Sequence, residues 1–266
     1  MTGQHEVTTA PGETPAPQTL IDIVFPGDTN HHGTLFGGAA LASMDRIAFI
    51  VATRHGRVPF VTASCDRIDF RAPARIGQIV CFSGRPVRVG RRSMVVEVEM
   101  IAEDIATGSR ALCSRGTFTM VAMPRADETD WTLPQLDVAT DTPEEAGTLR
   151  MVDIVFPGQA NSFGAIFGGN ALVHMTKAAF VVATRRSRRA TVLASCTGMD
   201  FKHRIMIGSI IEPIARIVRT GRSSATVEVE LWSEELLTGL RQRTVTGTFA
   251  MVAVDGDNRP VAAFAA

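Results

Sequence analysis

The sequence predicts an α+β protein built from two similar units, and three observations carry this prediction. The segment that begins at Asp22 returns at Asp153, an offset of 131 residues. Each copy holds one stretch of apolar residues at three- and four-residue spacing, which is typical of a helix. The rest of each copy alternates apolar and polar residues between turn signals, which is typical of β-strands.

The repeat covers most of the chain without a gap. DIVFPGDTNHHGTLFGG and DIVFPGQANSFGAIFGG open the two copies, and VEVEMIAEDIATGSR and VEVELWSEELLTGLR lie near their ends. Residues 20–123 therefore form one domain and residues 151–254 a second, as expected of a duplication. Because they are rich in Pro, Thr or acidic residues, residues 1–19 are expected to form a disordered leader and residues 124–150 a linker, with residues 255–266 as a tail.

One helix and about four antiparallel strands are predicted for each unit. The helix of the first unit starts at Gly38 and carries Met44, Ile47 and Val51 on one face. The predicted strands of the first unit span residues 58–70, 78–89, 93–105 and 109–122. Since one helix cannot cover both faces of such a sheet, we expect the two units to pair so that their sheets join.

Composition excludes several classes of function. The 27 Lys and Arg residues balance 27 Asp and Glu residues, so there is no basic excess that would favour a nucleic-acid partner. No apolar run approaches the ~20 residues of a membrane span, and no secretory signal is recognisable. Of the four cysteines, only Cys65 and Cys196 occupy matching repeat positions. A disulfide framework is therefore not expected, and the cytoplasm is the predicted location.

The segment PGDTNHHGTLFGGAALASMD, followed by VTASCDRIDFRAP, IGQIV, VGRRSM and FTMVAM, resembles the hotdog-fold acyl-CoA thioesterases. The resemblance extends over both repeats and is similar to the double-hotdog members of that family. It implies two tandem hotdog domains, each a central helix wrapped by an antiparallel sheet, paired as a double hotdog. It also implies hydrolysis of an acyl-CoA thioester to free CoA and a carboxylic acid. No metal or organic cofactor is then needed, and a homotrimer of double hotdogs is expected.

Thioester hydrolysis requires a carboxylate and donors that stabilise an oxyanion. Asp45 occupies the acid position of the family, whereas the aligned residue of the second unit is Thr176, which cannot serve as a carboxylate base near neutral pH. The resemblance implies that the helix acid of one hotdog acts together with the loop and helix N-terminus of the other, so we expect one competent site at the interface of the two repeats. It combines Asp45 with Asn161, Gly168 and Gly169. The degenerate second site combines Thr176 with Asn30, Gly37 and Gly38.

Two roles remain open at this point. Asp45 is either a general base or a nucleophile. Asn161, like Asn30, either shapes a turn or orients water or the thioester oxygen. The amides of Gly168 and Gly169, at a helix N-terminus, are suitable oxyanion donors.

CoA carries phosphates, so basic residues are expected near the mouth of the site. The candidates lie in matching turns of the two units and are Arg91, Arg92, Arg222 and Ser224. Solvated turn residues are the competing interpretation. His31 and His32 are adjacent loop histidines without zinc-ligand spacing, so no metal site is predicted.

Two rival functions are weighed. A hotdog hydratase or dehydratase requires an Asp/His pair, but His31 and His32 precede the glycines and do not accompany Asp45. A non-catalytic acyl-CoA-binding protein is chemically possible, as the change at Thr176 illustrates, but the presence of Asp45 argues against it. An Asp45 carboxylate that faces Asn161 across the unit interface would favour the enzyme.

Overall fold

The computed structural model of the chain describes residues 17–66, 68–124, 130–136 and 147–264. The predicted leader, apart from its last three residues, and most of the predicted linker lie outside these ranges. The described residues form two units, each with one α-helix and one six-stranded antiparallel sheet. The predicted α+β class and the two tandem domains are therefore confirmed.

The first unit consists of one helix and six strands. They are β1 (Gln18–Ile23), α1 (Gly37–Gly56), β2 (Phe60–Cys65), β3 (Asp69–Phe70), β4 (Ile79–Val89), β5 (Ser93–Glu103) and β6 (Arg110–Ala122). The strand order is β1-β4-β5-β6-β2, and β3 pairs with β6. Every pairing is antiparallel.

The second unit repeats this order with one additional break in its first strand. Its elements are β7 (Thr148–Arg150), β8 (Asp153–Ile154), α2 (Gly168–Ser187), β9 (Thr191–Phe201), β10 (Ile210–Thr220), β11 (Ser224–Glu234) and β12 (Arg241–Ala253). The strand order is β7-β10-β11-β12-β9, and β8 pairs with β10. Neither α1 nor α2 is long and apolar enough to cross a membrane.

Each helix packs its apolar face against the sheet of its own unit. In α1, Met44, Ile47 and Val51 are buried, and they meet the inward side chains of β5, such as Val96 and Val98. Burial of each such side chain contributes roughly 1.5–3 kcal/mol. The predicted helical spacing therefore corresponds to the observed core face.

Ion pairs related by the 131-residue repeat join the two units. Arg46 of α1 contacts Asp153 at 3.1 Å, and the equivalent Lys177 of α2 contacts Asp22 at 2.6 Å. Arg54 and Arg57 bind Glu234, and their counterparts Arg185 and Arg188 bind Glu103. The apolar residues of each unit near this contact enter the core of the other unit; Ile21 and Ile79 do so on one side and Val152 and Ile210 on the other. The contact is therefore an approximate twofold interface.

The expectation that the two sheets join is wrong for the described chain. The two sheets stay separate, because the unit interface uses the helices together with the β1–β4 and β8–β10 sides of the sheets. Within the described ranges, β2 and β9 have a strand partner on one side only. Their apolar side chains are exposed, with Val61 at 50% and Leu193 at 42%. The opposite ends of the two sheets lie on the side of the unit interface, so β2 and β9 are the free edges of the described residues.

The units are slightly longer than the repeat suggested. Strand β1 starts at Gln18, inside the predicted leader, because its pairing with β4 extends to that residue, and β7 lies inside the predicted linker. Leu133 and Phe264, 131 residues apart, are both buried. Their N–H groups donate to the carbonyls of Arg91 and Arg222, respectively. The described parts of the predicted linker and tail thus complete the core of each unit.

Candidate active site

Asp45 lies on α1 next to the fully buried Met44 and is itself half-buried. The hydroxyl of Thr62, on the free strand β2, donates a 2.6 Å hydrogen bond to Oδ1 of Asp45. This bond holds one carboxylate oxygen and leaves the second available. Thr62 was missed by the sequence analysis, although its replacement by Leu193 in the repeat was a usable signal.

The second unit has neither member of this pair. Thr176 takes the place of Asp45 on α2, and Leu193 takes the place of Thr62 on β9. The equivalent location therefore offers no carboxylate. The predicted asymmetry between the two helices extends to the strands beside them.

The two loop asparagines differ in how their side chains are used. Oδ1 of Asn161 accepts hydrogen bonds from the N–H groups of Phe163 at 2.9 Å and Ala165 at 3.2 Å. Asn30 shapes its loop in the same way, but its Nδ2 also donates to the hydroxyl of Thr34 at 3.0 Å. Because Ala165 stands where the first unit has Thr34, Nδ2 of Asn161 has no hydrogen-bond partner in the described part of the chain. Asn161 therefore shapes a turn through its oxygen and keeps a free donor.

Both helices begin at a glycine pair and have open N-termini. Gly37 and Gly168 are the first residues of α1 and α2, and no side chain caps either helix. The ring of Phe201, at the end of β9, lies beside Gly168; a Cβ there would be 3.7 Å from it. The first N–H groups of each helix are thus free to bind an oxyanion.

In the described part of the chain, the polar contacts between the two units leave out Asp45 and Asn161. The residue after Asp45 makes the contact instead, because Arg46 binds Asp153 and places its guanidinium 5.0 Å from the ring centre of Phe156. Phe156 precedes the Asn161 loop, so α1 contacts that loop at its start.

The predicted CoA-binding residues occupy equivalent turns. Arg91 and Arg92 are exposed in the turn between β4 and β5. The register places Ser93 opposite Val121 of β6, which in turn pairs with Val61 of β2. This turn is therefore two strands from the start of β2, near Thr62. Arg222, exposed, and the partly buried Ser224 have the same relation to the start of β9.

The histidines singled out in the sequence are exposed, and another histidine is buried. His31 and His32 pack their rings together with centres 3.8 Å apart. Across the described residues, no three His, Cys, Asp or Glu side chains come together in a way that could hold a metal ion. His174, which sequence reasoning missed, is buried on α2 near Asp153; burial lowers its pKa below the usual 6.5.

Comparison with known proteins identifies the family. The model of the thioesterase superfamily matches residues 32–109 and 163–239, once in each unit. This chain belongs to the thioesterase superfamily. The first superfamily match contains Asp45 and Thr62, and the second contains Thr176 and Leu193. Both copies of the domain are thus recognised, although only one has the acid.

Relatives within the thioesterase superfamily include a solved structure that aligns with nearly all of this chain. The crystal structure of an acyl-CoA hydrolase from Agrobacterium tumefaciens is 57% identical, with a TM-score of 0.87 over 95% of this chain and 100% of that chain. The uncharacterised acyl-CoA thioester hydrolase YkhA of Bacillus subtilis is 42% identical over 46% of this chain and 69% of its own length. The cytosolic acyl coenzyme A thioester hydrolase of Rattus norvegicus is 22% identical over 90% of this chain and 74% of its own length.

Proposed function

We propose that this chain is an acyl-CoA thioester hydrolase that converts acyl-CoA and water into free CoA and a carboxylic acid. The observation that carries the proposal is the Asp45–Thr62 pair, a half-buried carboxylate fixed at 2.6 Å by a hydroxyl. It occurs in only one of the two units of the described chain, because Thr176 and Leu193 stand at the equivalent positions of the other. The names of the relatives support an acyl-CoA substrate.

Asp45 acts on the thioester in one of two ways. As a general base it takes a proton from water, whose oxygen bonds to the carbonyl carbon while the C–S bond breaks; the CoA thiolate then takes up the proton. As a nucleophile it forms an anhydride with loss of CoA thiolate, and water then opens the anhydride. In either case the N–H groups of Gly168 and Gly169 and Nδ2 of Asn161 stabilise the oxyanion. The proposal requires no metal and no organic cofactor.

The two free edges support association with further copies of the chain. An unpaired strand with exposed apolar side chains is a surface that proteins normally cover. We propose that β2 of one copy pairs with β9 of a second copy. Each chain has one edge of each kind, so the pairing is head to tail and a closed ring leaves no edge free. A ring of three double hotdogs is the proposed assembly.

Antiparallel pairing of these edges would complete the active site between chains. The beginning of β2, where Thr62 holds Asp45, would then lie opposite the end of β9 in the second copy. The end of β9 carries Phe201, which adjoins Gly168 at the start of α2. The acid of one chain would thus approach the Gly168, Gly169 and Asn161 donors of the next.

The same pairing defines the degenerate site and the region that binds CoA. Thr176 and Leu193 of one chain would meet the Asn30, Gly37 and Gly38 segment of its neighbour, a place that has no acid. Arg91 and Arg92, with Arg222 and Ser224 at the equivalent turn, are proposed to bind CoA phosphates near these sites. The cytosolic name of the rat relative supports a cytoplasmic role in fatty acid metabolism.

The reaction is tested by thiol release from short-, medium- and long-chain acyl-CoAs. Wild type is expected to be active, and Asp45→Asn is expected to lose about a hundredfold or more as the base or nucleophile is removed. Thr176→Asn, the same position in the degenerate unit, is the matched control and is expected to stay active. A wild type that is silent on every chain length, or an active Asp45→Asn variant, would refute the proposal.

Mixing experiments test whether the site lies between chains. Asp45→Asn and Asn161→Ala chains are each expected to be impaired. After dissociation and reassembly at a 1:1 ratio, about a quarter of the sites would combine an intact Asp45 with an intact Asn161 from the neighbour. Recovery of activity supports the head-to-tail pairing. Activity no greater than that of the unmixed variants, in a mixture that has reassembled, would contradict it.

A further inference from the structure

Side chains that exist only in the second unit hold the loop that carries Asn161. Oε1 of Gln159 accepts the backbone N–H of Phe156 at 3.0 Å, and its Nε2 lies 3.4 Å from Nε2 of His174. Nδ2 of Asn170 donates to the carbonyl of Gln159 at 2.9 Å. The start of the loop is therefore tied to α2 by three side chains.

The first unit contributes a further anchor to the same loop. Arg46 places Nη1 3.1 Å from Oδ1 of Asp153 and its guanidinium over the ring of Phe156. The other carboxylate oxygen of Asp153 lies 3.8 Å from Nδ1 of His174. Asp153 thus links Arg46 to His174, and the loop is held from both units.

The equivalent loop of the first unit keeps the corresponding ion pair, between Lys177 and Asp22, but lacks the three side chains that tie the Asn161 loop to α2. The positions of Gln159, His174 and Asn170 hold shorter side chains, in that order Asp28, Ser43 and Ala39. Within the described residues, the Asp28 and Ser43 side chains make no hydrogen bond, and Ala39 has no polar group. The network therefore serves only the loop that the proposed competent site uses.

We propose that His174 is a positioning residue that, through Gln159 and Asp153, fixes the Asn161 loop in the orientation that thioester hydrolysis requires. This inference rests on the proposed function. Nε2 of His174 faces the side-chain NH2 group of Gln159, which can only donate, so Nε2 of His174 is the acceptor. Its Nδ1 then carries the proton and points toward the Asp153 carboxylate. A neutral imidazole meets both partners at once.

Protonation of His174 would break this arrangement. The charged groups that face it come from four elements and are Asp153, Asp22, Lys177 and Arg46. Burial is the largest influence and, with the two cations, holds the pKa of His174 below the usual 6.5 against the two carboxylates. His174 is thus neutral at pH 7. Once protonated it can no longer accept from Gln159, so the loop loses its tie to α2.

Kinetics of His174 variants on an acyl-CoA that the wild type hydrolyses test the proposal. His174→Ser installs the residue of the first unit and is expected to lower kcat about tenfold with KM within about twofold, because Asn161 acts in the transition state. His174→Gln retains an acceptor and is expected to restore kcat to within about threefold of wild type. Ser43→Ala, at the equivalent position, is the matched control and is expected to be unchanged.

The pH dependence separates positioning from packing. Wild-type kcat is expected to fall as pH drops below 6.5 through the lowered pKa of His174, and His174→Gln is expected to lack that part of the decline. An equal loss of kcat in His174→Ser and His174→Gln would overturn the inference, as would identical pH profiles of kcat for wild type and His174→Gln. The comparison of pH profiles remains decisive even if His174→Ser does not fold. Loss in Asp45→Asn without loss in a folded His174→Ser refutes the positioning role alone, whereas activity in Asp45→Asn refutes the proposed function.

Discussion

The hydroxyl of Thr62 donates to Oδ1 of Asp45 at 2.6 Å and so connects a free sheet edge to the acid on the central helix. A strand residue fixes the orientation of a helix residue, and both lie beside the surface that a second chain is proposed to cover. At the equivalent positions of the second unit, Leu193 replaces Thr62 and Thr176 replaces Asp45. The Thr62 hydroxyl and the Asp45 carboxylate beside the β2 edge therefore occur as a pair in the first unit, and both are replaced in the second.

Removal of the Thr62 hydroxyl is expected to reduce turnover. Thr62→Val keeps the shape of the side chain but leaves Asp45 free to rotate, so we expect kcat to fall about tenfold, with KM changed less. Thr62→Ser retains the donor and is expected to stay within about threefold of wild type. Thiol release measures both variants. Wild-type kcat in Thr62→Val would mean that this hydrogen bond has no catalytic role.

Loss of the Glu103 charge is expected to loosen the unit interface. Glu103 is buried and accepts from Arg110, Arg185 and Arg188, so Glu103→Gln leaves three arginines without their anion. We expect a loss of about 3 kcal/mol in unfolding free energy, at the lower end for a buried pair because all three arginines are partly solvated, at 57%, 22% and 43% exposure. Urea denaturation measures it.

Because of the Glu103 carboxylate, the unfolding free energy is expected to depend on pH in the acid range. Burial raises the pKa of Glu103, but the surrounding arginines lower this pKa by more than burial raises it. The net pKa is therefore below the usual 4.5. The contribution of Glu103 to the unfolding free energy is present above pH 4.5 and is lost as pH falls through the lower folded-state pKa.

Glu99→Gln, which breaks an exposed pair with Arg115, is the control for Glu103→Gln and is expected to cost less than about 1 kcal/mol of unfolding free energy. Equal costs for both variants would contradict the buried role.

Phe264 is expected to stabilise the second unit although it lies in the predicted tail. Its side chain is 1% exposed, and Phe264→Ala is expected to cost about 3 kcal/mol through lost burial and a cavity. Leu240→Ala, at a residue that is 52% exposed, is expected to stay within about 0.5 kcal/mol of wild type. Thermal unfolding compares the two. A Phe264→Ala protein as stable as the wild type would show that this side chain does not contribute to the core of the second unit.

Elements that depend on local periodicity were predictable from the sequence. The helix face with Met44, Ile47 and Val51 and the alternating strand β5 are both observed, because burial against one sheet imposes those periods. The assignment of Asp45 as the acid stays a prediction, and the absence of a carboxylate at Thr176 followed from the repeat. These signals describe one unit. They left a strand or loop open before each helix and predicted about four strands after it; the six strands observed in each unit include a strand before the helix and one strand broken in two, β2–β3 in the first unit and β7–β8 in the second.

Relations between units and between distant side chains were not predictable in the same way. A repeat pattern does not say which sheet edge meets the partner unit. The two sheets were expected to join, yet they stay separate, and β2 and β9 are free edges in the described chain. The role of Thr62 depends on the approach of β2 to α1. His174 lies outside the glycine-containing motif, and its mismatch with Ser43 in the repeat is the one sequence signal that distinguishes it.

Covalent connection of the two units changes what a single mutation can do. In an assembly of identical subunits, any substitution at the acid position would appear in every site at once. Here Thr176 stands in one half of the chain and Asp45 in the other, in fixed one-to-one proportion. The helix of the second half has thus been free to diverge at this position while the helix of the first half keeps Asp45, so the two halves of the chain are no longer interchangeable.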